Sequence, residues 1–571
     1  MGGSRLDMSS PTDASAFASG KKGPKALSSS EVGPQAPNAS FRRRLWFSLA
    51  LILVCMNLAR WLSFFKVSPA PVLPDLYEAS IRDLQAGLDA GHFSSVHLVQ
   101  AYFSRIEEVN IKGPGLRAVI ELNPSALKVA ALLDLERRYT GKRSELHGIP
   151  ILLKDNFATV AAEGMNTTAG SFSLLGSIVS EDAGVVKKAS QGGCYNLRDI
   201  SGWSGRGGQG TGAYYPRAHP CGSSSGSAVA ASIGLTPVAL GTETDGSITC
   251  PSSNNNLAGI KPTVGWTSRA GVIPISANQD TVGPMARSMT DAAIVLSIIA
   301  GPDPNDNFTL AQPPVVPDFT TALNKDAFKG KRIGVPRRLF LNESILHMDP
   351  SLVTAFEGAL ETMKKTGCDH RGPGGFVNEK TVLHTDLKVY LNQYFETLLE
   401  NPSGVRNLAD LIKFNNENPE LETPEGYEDQ SVFIISEATN GFDTEYWAAL
   451  AANHDIGRTR GIDHALKEHN LDALVLPGPG YTPRPAAIAG YPIVTVPLGF
   501  YPENVTIGEM QEMVYPAPGI PFGLSFLGTA YSDFELIGLG FAYEQATQTR
   551  LARRAFPAAI PKTQLKDVIG K

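Results

Sequence analysis

Residues 220–263 read PCGSSSGSAVAASIGLTPVALGTETDGSITCPSSNNNLAGIKPT: two small-residue clusters, Cys221–Ser227 and Gly241–Ser253, separated by a short apolar helix-like segment and a short strand-like one. Large side chains are nearly absent from the clusters. Glycine accepts positive φ without steric cost and serine adds a compact hydroxyl, so such a backbone can turn several N–H groups towards one point. Acyl transfer needs this: an exposed serine Oγ, a base beside it, and N–H donors aimed at the developing oxyanion. Thr244-Asp245-Gly246-Ser247 could supply such donors around Ser247. Composition alone is also compatible with a Gly/Ser-rich surface loop.

Upstream of this stretch, Leu76, Ile81, Leu84 and Leu88 fall at helical spacing, and Ser94 or Ser95 caps a second helix through Ile106. Leu116–Leu122 (LRAVIEL) predicts a strand, Asn123-Pro124 opens a helix to about Tyr139, and Gly148–Leu153 (GIPILL) predicts a second strand. Strand, helix, strand is a βαβ unit and implies a largely parallel sheet. Lys154 ends the second strand. A strand-end lysine is ordinarily a surface residue, but burial disfavours the charged form and would leave a neutral amine able to act as a base. Downstream, a strand is expected at Arg332–Val335 and a helix over Ser351–Lys365, with no motif that carries chemistry between 302 and 470. The runs ALVLP, PIVTVPLGF and PFGLSFLG then predict strands ahead of an amphipathic helix around Asp533–Thr547.

A chain of 571 residues that is 42% hydrophobic, with 56 glycines and 40 prolines, is a loop-rich globular enzyme rather than a coiled coil or a disordered protein. Its net charge of −6 leaves no electrostatic footprint for nucleic acid. Cys55, Cys194, Cys221, Cys250 and Cys368 show neither a CxxC pair nor metal-ligand spacing, so a disulfide framework is not expected. The ten histidines contain no H-E-x-x-H pattern, so neither a metal site nor a cofactor is expected.

Residues 1–40, rich in Ser, Ala, Gly, Pro and Lys, read as a disordered tail. Arg42-Arg43-Arg44 precede the apolar run Leu45–Ala59, so 41–66 is expected to be a signal anchor or transmembrane helix, 67–74 a Pro-rich linker, and 75–571 the catalytic domain. The alternative is a buried apolar helix. The positive-inside rule then places the catalytic region on the lumenal or extracellular side of a membrane, with which the sequons at Asn307, Asn342 and Asn504 are compatible.

The 220–263 stretch resembles the signature of the amidase signature family: a G-S-S cluster, a GT-x-T-x-GSI about two dozen residues on, then G-I-K-P-T. HGIPILLKDN (His147–Asn156) is similar to that family's lysine strand, and SRAGVIPISANQDTVGPMAR (Ser268–Arg287) to the segment that follows. LDALVLP, AAIAGYPIVTVPLG and PFGLSFLG match near the C-terminus, so the resemblance covers most of 75–555. It implies an α/β/α sandwich around a large mixed, mostly parallel β-sheet, and hydrolysis of a small-molecule carboxamide through an acyl-enzyme. It also implies site roles: Ser247 the nucleophile, Lys154 the general base, Ser223 the bridging serine after a cis peptide, and the N–H groups of Thr244, Asp245, Gly246 and Ser247 the oxyanion hole. An esterase, a subunit of a tRNA-dependent amidotransferase and an inactive binding protein are the alternatives.

One segment departs from the family's pattern. After Val185-Val186-Lys187-Lys188 an apolar strand of A-G-A-I-I-L type and a G-K-T-N segment are expected, yet the chain reads only ASQGGCYNLRDI (Ala189–Ile200). A missing internal strand there would leave ladder partners unpaired. Two motifs are set aside: Gly205–Gly210 matches GxGxxG without a preceding strand or following helix, and Gly222–Gly226 matches GxSxG around Ser224 without the strand a nucleophile elbow needs.

Overall fold

The computed structural model describes residues 39–64, 71–191, 195–199, 202–337, 349–365, 379–478, 480 and 482–570. The chain divides into two units, Met1–Pro71 and Val72–Lys571. In the first, α1 spans Ala39–Phe64, and most of the expected disordered tail lies outside the described residues. Among the described residues no helix is long and apolar enough to cross a membrane. The expected anchor, and the lumenal or extracellular placement drawn from it, are therefore corrected. Leu45–Ala59, between Arg44 and Arg60, spans about 22 Å as a helix against about 30 Å of bilayer hydrocarbon.

The second unit opens with three helices, of which the second starts where expected, while the first begins at Ile81 rather than near Leu76 and the third at Ala126 rather than Pro124. In α2 (Ile81–Asp89) Ser80 and Asp83 form a capping box, α3 (Ser95–Val109) is capped by Ser94, and α4 runs Ala126–Thr140. The strand expected at Leu116–Leu122 does not form. The Leu116 and Arg117 N–H groups donate to the Val109 and Asn110 carbonyls at 2.9 and 2.8 Å, and Val119 N–H donates to Asn110 Oδ1 at 2.9 Å. Leu116, Ala118 and Val119 are buried and Leu122 is exposed, and the segment's backbone groups are satisfied by the end of α3 rather than by a ladder.

Next come β1 (Pro150–Lys154), α5 (Gly184–Gln191) and β2 (Tyr195–Asp199), which pairs parallel to β1 from Pro150↔Tyr195 to Lys154↔Asp199. A strand is thus present where the departure from the family pattern implied none. As the edge strand, β2 has a single neighbour, so it does not need the continuous apolar run of a strand buried between two others. The GxGxxG motif falls in a hairpin of β3 (Trp203–Ser204) and β4 (Gly208–Gln209), a loop rather than a nucleotide fingerprint. Then follow α6 (Ser225–Ser232), β5 (Val238–Glu243), α7 (Thr249–Asn254), β6 (Ala258–Lys261), β7 (Thr281–Ala286) and α8 (Met289–Ile299). The middle region contributes β8 (Ile333–Gly334), α9 (Pro350–Lys365), α10 (Glu379–Thr397) and α11 (Leu408–Glu417). The chain closes with β9 (Ala473–Pro477), β10 (Ile493–Phe500), the small hairpin β11 (Glu509–Met510) and β12 (Met513–Val514), β13 (Pro521–Leu527) and α12 (Asp533–Thr547).

Nine strands form one sheet in the order β2-β1-β5-β7-β6-β10-β13-β9-β8. It is mixed, as expected, but not mostly parallel: only β1–β2, β1–β5 and β8–β9 pair in parallel. The helical crossover from β5 through α7 does bring β6 back in the same direction, yet β7 inserts between them antiparallel to both.

Helices cover both faces. Ile151 and Leu153 of β1 share a core cluster with Val238 and Leu240 of β5 and Leu296 of α8, while Leu152 and Ala239 join Ala228–Ala231 of α6 in a second. That alternation is the period of two of a strand buried on both sides. On the α8 side, buried Asp291 accepts the Ile81 N–H at 3.2 Å, capping α2 from another helix, and burial raises its pKa to about 6 against the opposing pull of Arg287. Because the folded state holds this proton more tightly than an unfolded aspartate at 3.8, the contribution of Asp291 to stability is full below about pH 4 and is lost as pH rises through about 6. Asp291→Asn is expected to remove that decline. Denaturant unfolding should show the variant gaining about 3 kcal/mol on the wild type between pH 4 and 7.5, with the difference constant above that.

Candidate active site

Lys154 is the last residue of β1, buried to 8% exposure at the end of a wholly buried strand. Its Nζ donates to Ser223 Oγ at 2.5 Å and to Thr242 Oγ1 at 3.0 Å, and Asn156 Nδ2 donates to the same Thr242 oxygen at 3.1 Å. The sequence motifs alone did not bring Lys154 to Ser223; pairing of β1 with β5, and the packing of α6 against both, does. Ser223 follows a cis Gly222–Ser223 peptide.

Ser224, central in the GxSxG match, is fully buried at the start of α6, and its Oγ donates to the Thr242 carbonyl at 3.2 Å. It cannot be an exposed nucleophile. Its N–H donates to the Ser247 carbonyl at 3.1 Å and so joins the two small-residue clusters. Ser247 is half-buried, and among the described residues its hydroxyl makes no hydrogen bond.

The loop Thr244–Ser247 is held from several sides. Gly246 turns at φ +86°, a backbone conformation that side chains with a Cβ resist. Thr244 Oγ1 donates to Asp280 Oδ1 at 2.5 Å, and the Thr244 carbonyl accepts from Gln279 Nε2 at 3.2 Å. Arg484 Nε reaches Asp245 Oδ2 at 3.4 Å and Glu379 Oε2 at 3.0 Å, and Gln279 Nε2 donates to Glu379 Oε1 at 2.9 Å. Burial pushes the Glu379 carboxyl up to about 7, with the Asp245 charge adding to the shift, and burial also raises Asp245 against the pull of Arg484.

Glu243, at the end of β5, was not singled out from sequence. It is fully buried, and its Oε2 accepts the N–H groups of Ile248 and Thr249 at 2.7 and 2.8 Å, so that one carboxylate closes the loop and starts α7. Burial raises its pKa, while Lys261 and these amides act the other way; burial lowers buried Lys261 to about 8. Glu243→Ala leaves two buried N–H donors without an acceptor, about 1–3 kcal/mol each. We expect it to lower both Tm and turnover, the latter about 100-fold or more as the loop shifts. Glu243→Gln, which keeps an acceptor oxygen, should retain most of both in the same thermal and kinetic assays.

Cys221 and Cys250, unpaired in the sequence reading, form a disulfide with Cα atoms 5.8 Å apart. They lie 29 residues apart, and only the return of the chain through β5 brings them together.

Lys154, Ser223, Thr242 and Thr244 stand in the wall of a cavity of about 590 Å³. Asp245, Gly246 and Ser247 are not part of that wall. Opposite, the middle region that carried no motif lines the cavity through Leu387, Leu391 and Phe395 of α10, and through Tyr427, whose ring stacks on Trp203 with centroids 4.6 Å apart.

The protein is thus an α/β protein whose large mixed sheet brings a lysine-to-serine hydrogen bond into the wall of a cavity. Residues 97–537 match the amidase family. The chain belongs to the amidase family and is a hydrolase acting on the C–N bond of amides. A protein of Arthroderma benhamiae provisionally named an amidase is 38% identical over 542 residues, 87% of this chain and 90% of its own length. An Arabidopsis thaliana protein with a similar provisional name is 38% identical over 530 residues, 89% of this chain and 98% of its own. The crystal structure of the peptide amidase of Stenotrophomonas maltophilia superposes with a TM-score of 0.73 at 40% identity, covering 85% of this chain and 99% of that one. The esterase, amidotransferase-subunit and inactive readings are not favoured.

Proposed function

We propose that the protein cleaves a carboxamide to carboxylate and ammonia or amine through an acyl-enzyme on Ser247, with Lys154 as general base and Ser223 as proton relay. The observation that carries this reading is the 2.5 Å hydrogen bond from Lys154 Nζ to Ser223 Oγ in the cavity wall. In its neutral form Lys154 takes the Ser223 proton while Ser223 takes that of Ser247, whose Oγ attacks the carbonyl carbon. The N–H groups of the Thr244–Ser247 loop, turned by Gly246, receive the oxyanion. The relay returns a proton to the leaving nitrogen, and water then releases the acyl group by the same path.

For the substrate we propose peptide-like amides, a class suggested by the name of the Stenotrophomonas maltophilia enzyme and by a cavity within the usual range for small-molecule sites. A fluorophosphonate probe should label Ser247, identified by peptide mass mapping, and short peptide amides should release ammonia. Labelling confined to another serine would overturn the assignment, and turnover of simple esters without amide turnover would overturn the reaction.

A further inference from the structure

We infer that the Cys221–Cys250 disulfide is a positioning element of the reaction, holding the segment that carries Ser223 in register with the segment that carries Ser247. The inference rests on the roles proposed above for those two serines. Cys221 lies two residues before Ser223, and Cys250, in the first turn of α7, lies three residues after Ser247. The bond therefore links the segments that carry the two hydroxyls, which are joined besides by the Ser224 N–H to Ser247 carbonyl bond and by Asn254 and Asn255 Nδ2 donating to the His219 and Pro220 carbonyls.

Both ends of the bridge are themselves held. Cys221 sits at φ +60°, a left-handed conformation that a non-glycine residue keeps only where its surroundings over-determine it. Its N–H donates to His219 Nδ1 at 3.1 Å, and its carbonyl accepts from Ser225 Oγ. On the other side the Cys250 N–H donates to the Gly246 carbonyl at 2.8 Å, inside the loop that Glu243 closes. A shift of Cys221 is thus carried to Ser223 through two peptide units of backbone, and a shift of Cys250 to the Ser247 turn.

Proton relay needs heavy atoms within roughly 2.6–3.2 Å, and a misplacement of about 1 Å costs on the order of 100-fold in rate. Opening the bridge should therefore act on kcat. It should spare KM, because the apolar wall from α10 is built on a different part of the chain.

The test uses the oxidised full-length protein, the Cys221→Ser/Cys250→Ser double variant, and the wild type treated with a water-soluble phosphine. The phosphine converts the disulfide to two thiols as it takes up the oxygen of water. The expected result is a 10- to 100-fold loss of kcat and of the fluorophosphonate labelling rate, with KM within about twofold and the near-UV circular dichroism retained. Reoxidation of the phosphine-treated enzyme should restore kcat. Unchanged kcat in reduced, folded enzyme would overturn the inference, as would a loss that only follows the fraction unfolded. Should the double variant fail to fold, the phosphine-treated wild type, with two new thiols counted by titration, decides the matter. Ser247→Ala in parallel separates the two readings: activity surviving there removes the serine assignment, whereas an inactive Ser247→Ala beside fully active reduced enzyme removes only the disulfide's role.

Discussion

Ser247→Ala is expected to abolish amide turnover, lowering kcat on the order of 10⁴- to 10⁶-fold, with the fold and melting temperature unchanged. The Ser247 hydroxyl has no hydrogen-bond partner among the described residues and the side chain is only half-buried, so its removal leaves no orphaned group and no large void. Ser223→Ala should cost less, because water can take part of a relay's place but not a nucleophile's. That variant keeps the Lys154 hydrogen bond to Thr242. Single-turnover kinetics with a peptide amide and with a fluorophosphonate check the order. Equal losses for the two serines would show that Ser223 does more than pass a proton.

Lys154→Arg is expected to lose turnover by about 10²- to 10⁴-fold, the range a positioned general base contributes. Arginine keeps the positive charge and most of the length, and its guanidinium can still donate to Ser223 and Thr242, so a purely structural or charge-balancing role would survive the exchange. It cannot give up its proton, and a base role would not survive. Lys154→Ala should be equally inactive but less stable, since it opens space at the end of a fully buried strand. Near-normal amide turnover by Lys154→Arg would remove the base assignment. The histidine nearest the site in sequence, His219, would then have to be weighed, although it is already engaged by the Cys221 N–H.

Much of the architecture was legible because strands buried on both faces read as continuous apolar runs. PILLK, ALVLP, IVTVPLGF and PFGLSFL all became sheet strands within a residue or two of expectation. The start of α3 was legible because a serine cap, Ser94, stands just ahead of an apolar stripe. The same rules misread Leu116–Leu122 as a strand, because its backbone partners are Val109 and Asn110 at the end of α3 rather than a neighbouring strand. They also missed β2, because an edge strand needs no apolar run. At the site, Lys154, Ser223 and the 244–247 loop could be singled out, whereas Glu243 was hidden in plain view within the quoted stretch. A carboxylate beside a strand end is ordinarily solvated, and only burial reveals it as the acceptor for Ile248 and Thr249.

By itself the sequence determined the α/β class, through the periodicity of its strands and helices, while the stretch proposed for the chemistry was marked out by its resemblance to the amidase signature family. Tertiary structure alone decided that Lys154 meets Ser223, that Cys221 pairs with Cys250, that β7 slips between β5 and β6, and that Arg484 and Gln279 brace the 244–247 loop. It also decided against a membrane-spanning helix among the described residues. The physical reason is one of range. Propensity, capping and amphipathic period act over a turn or a strand, whereas these contacts join residues 29 to 239 positions apart, where the chain's path and the exclusion of water from the core, not local spacing, choose the partner.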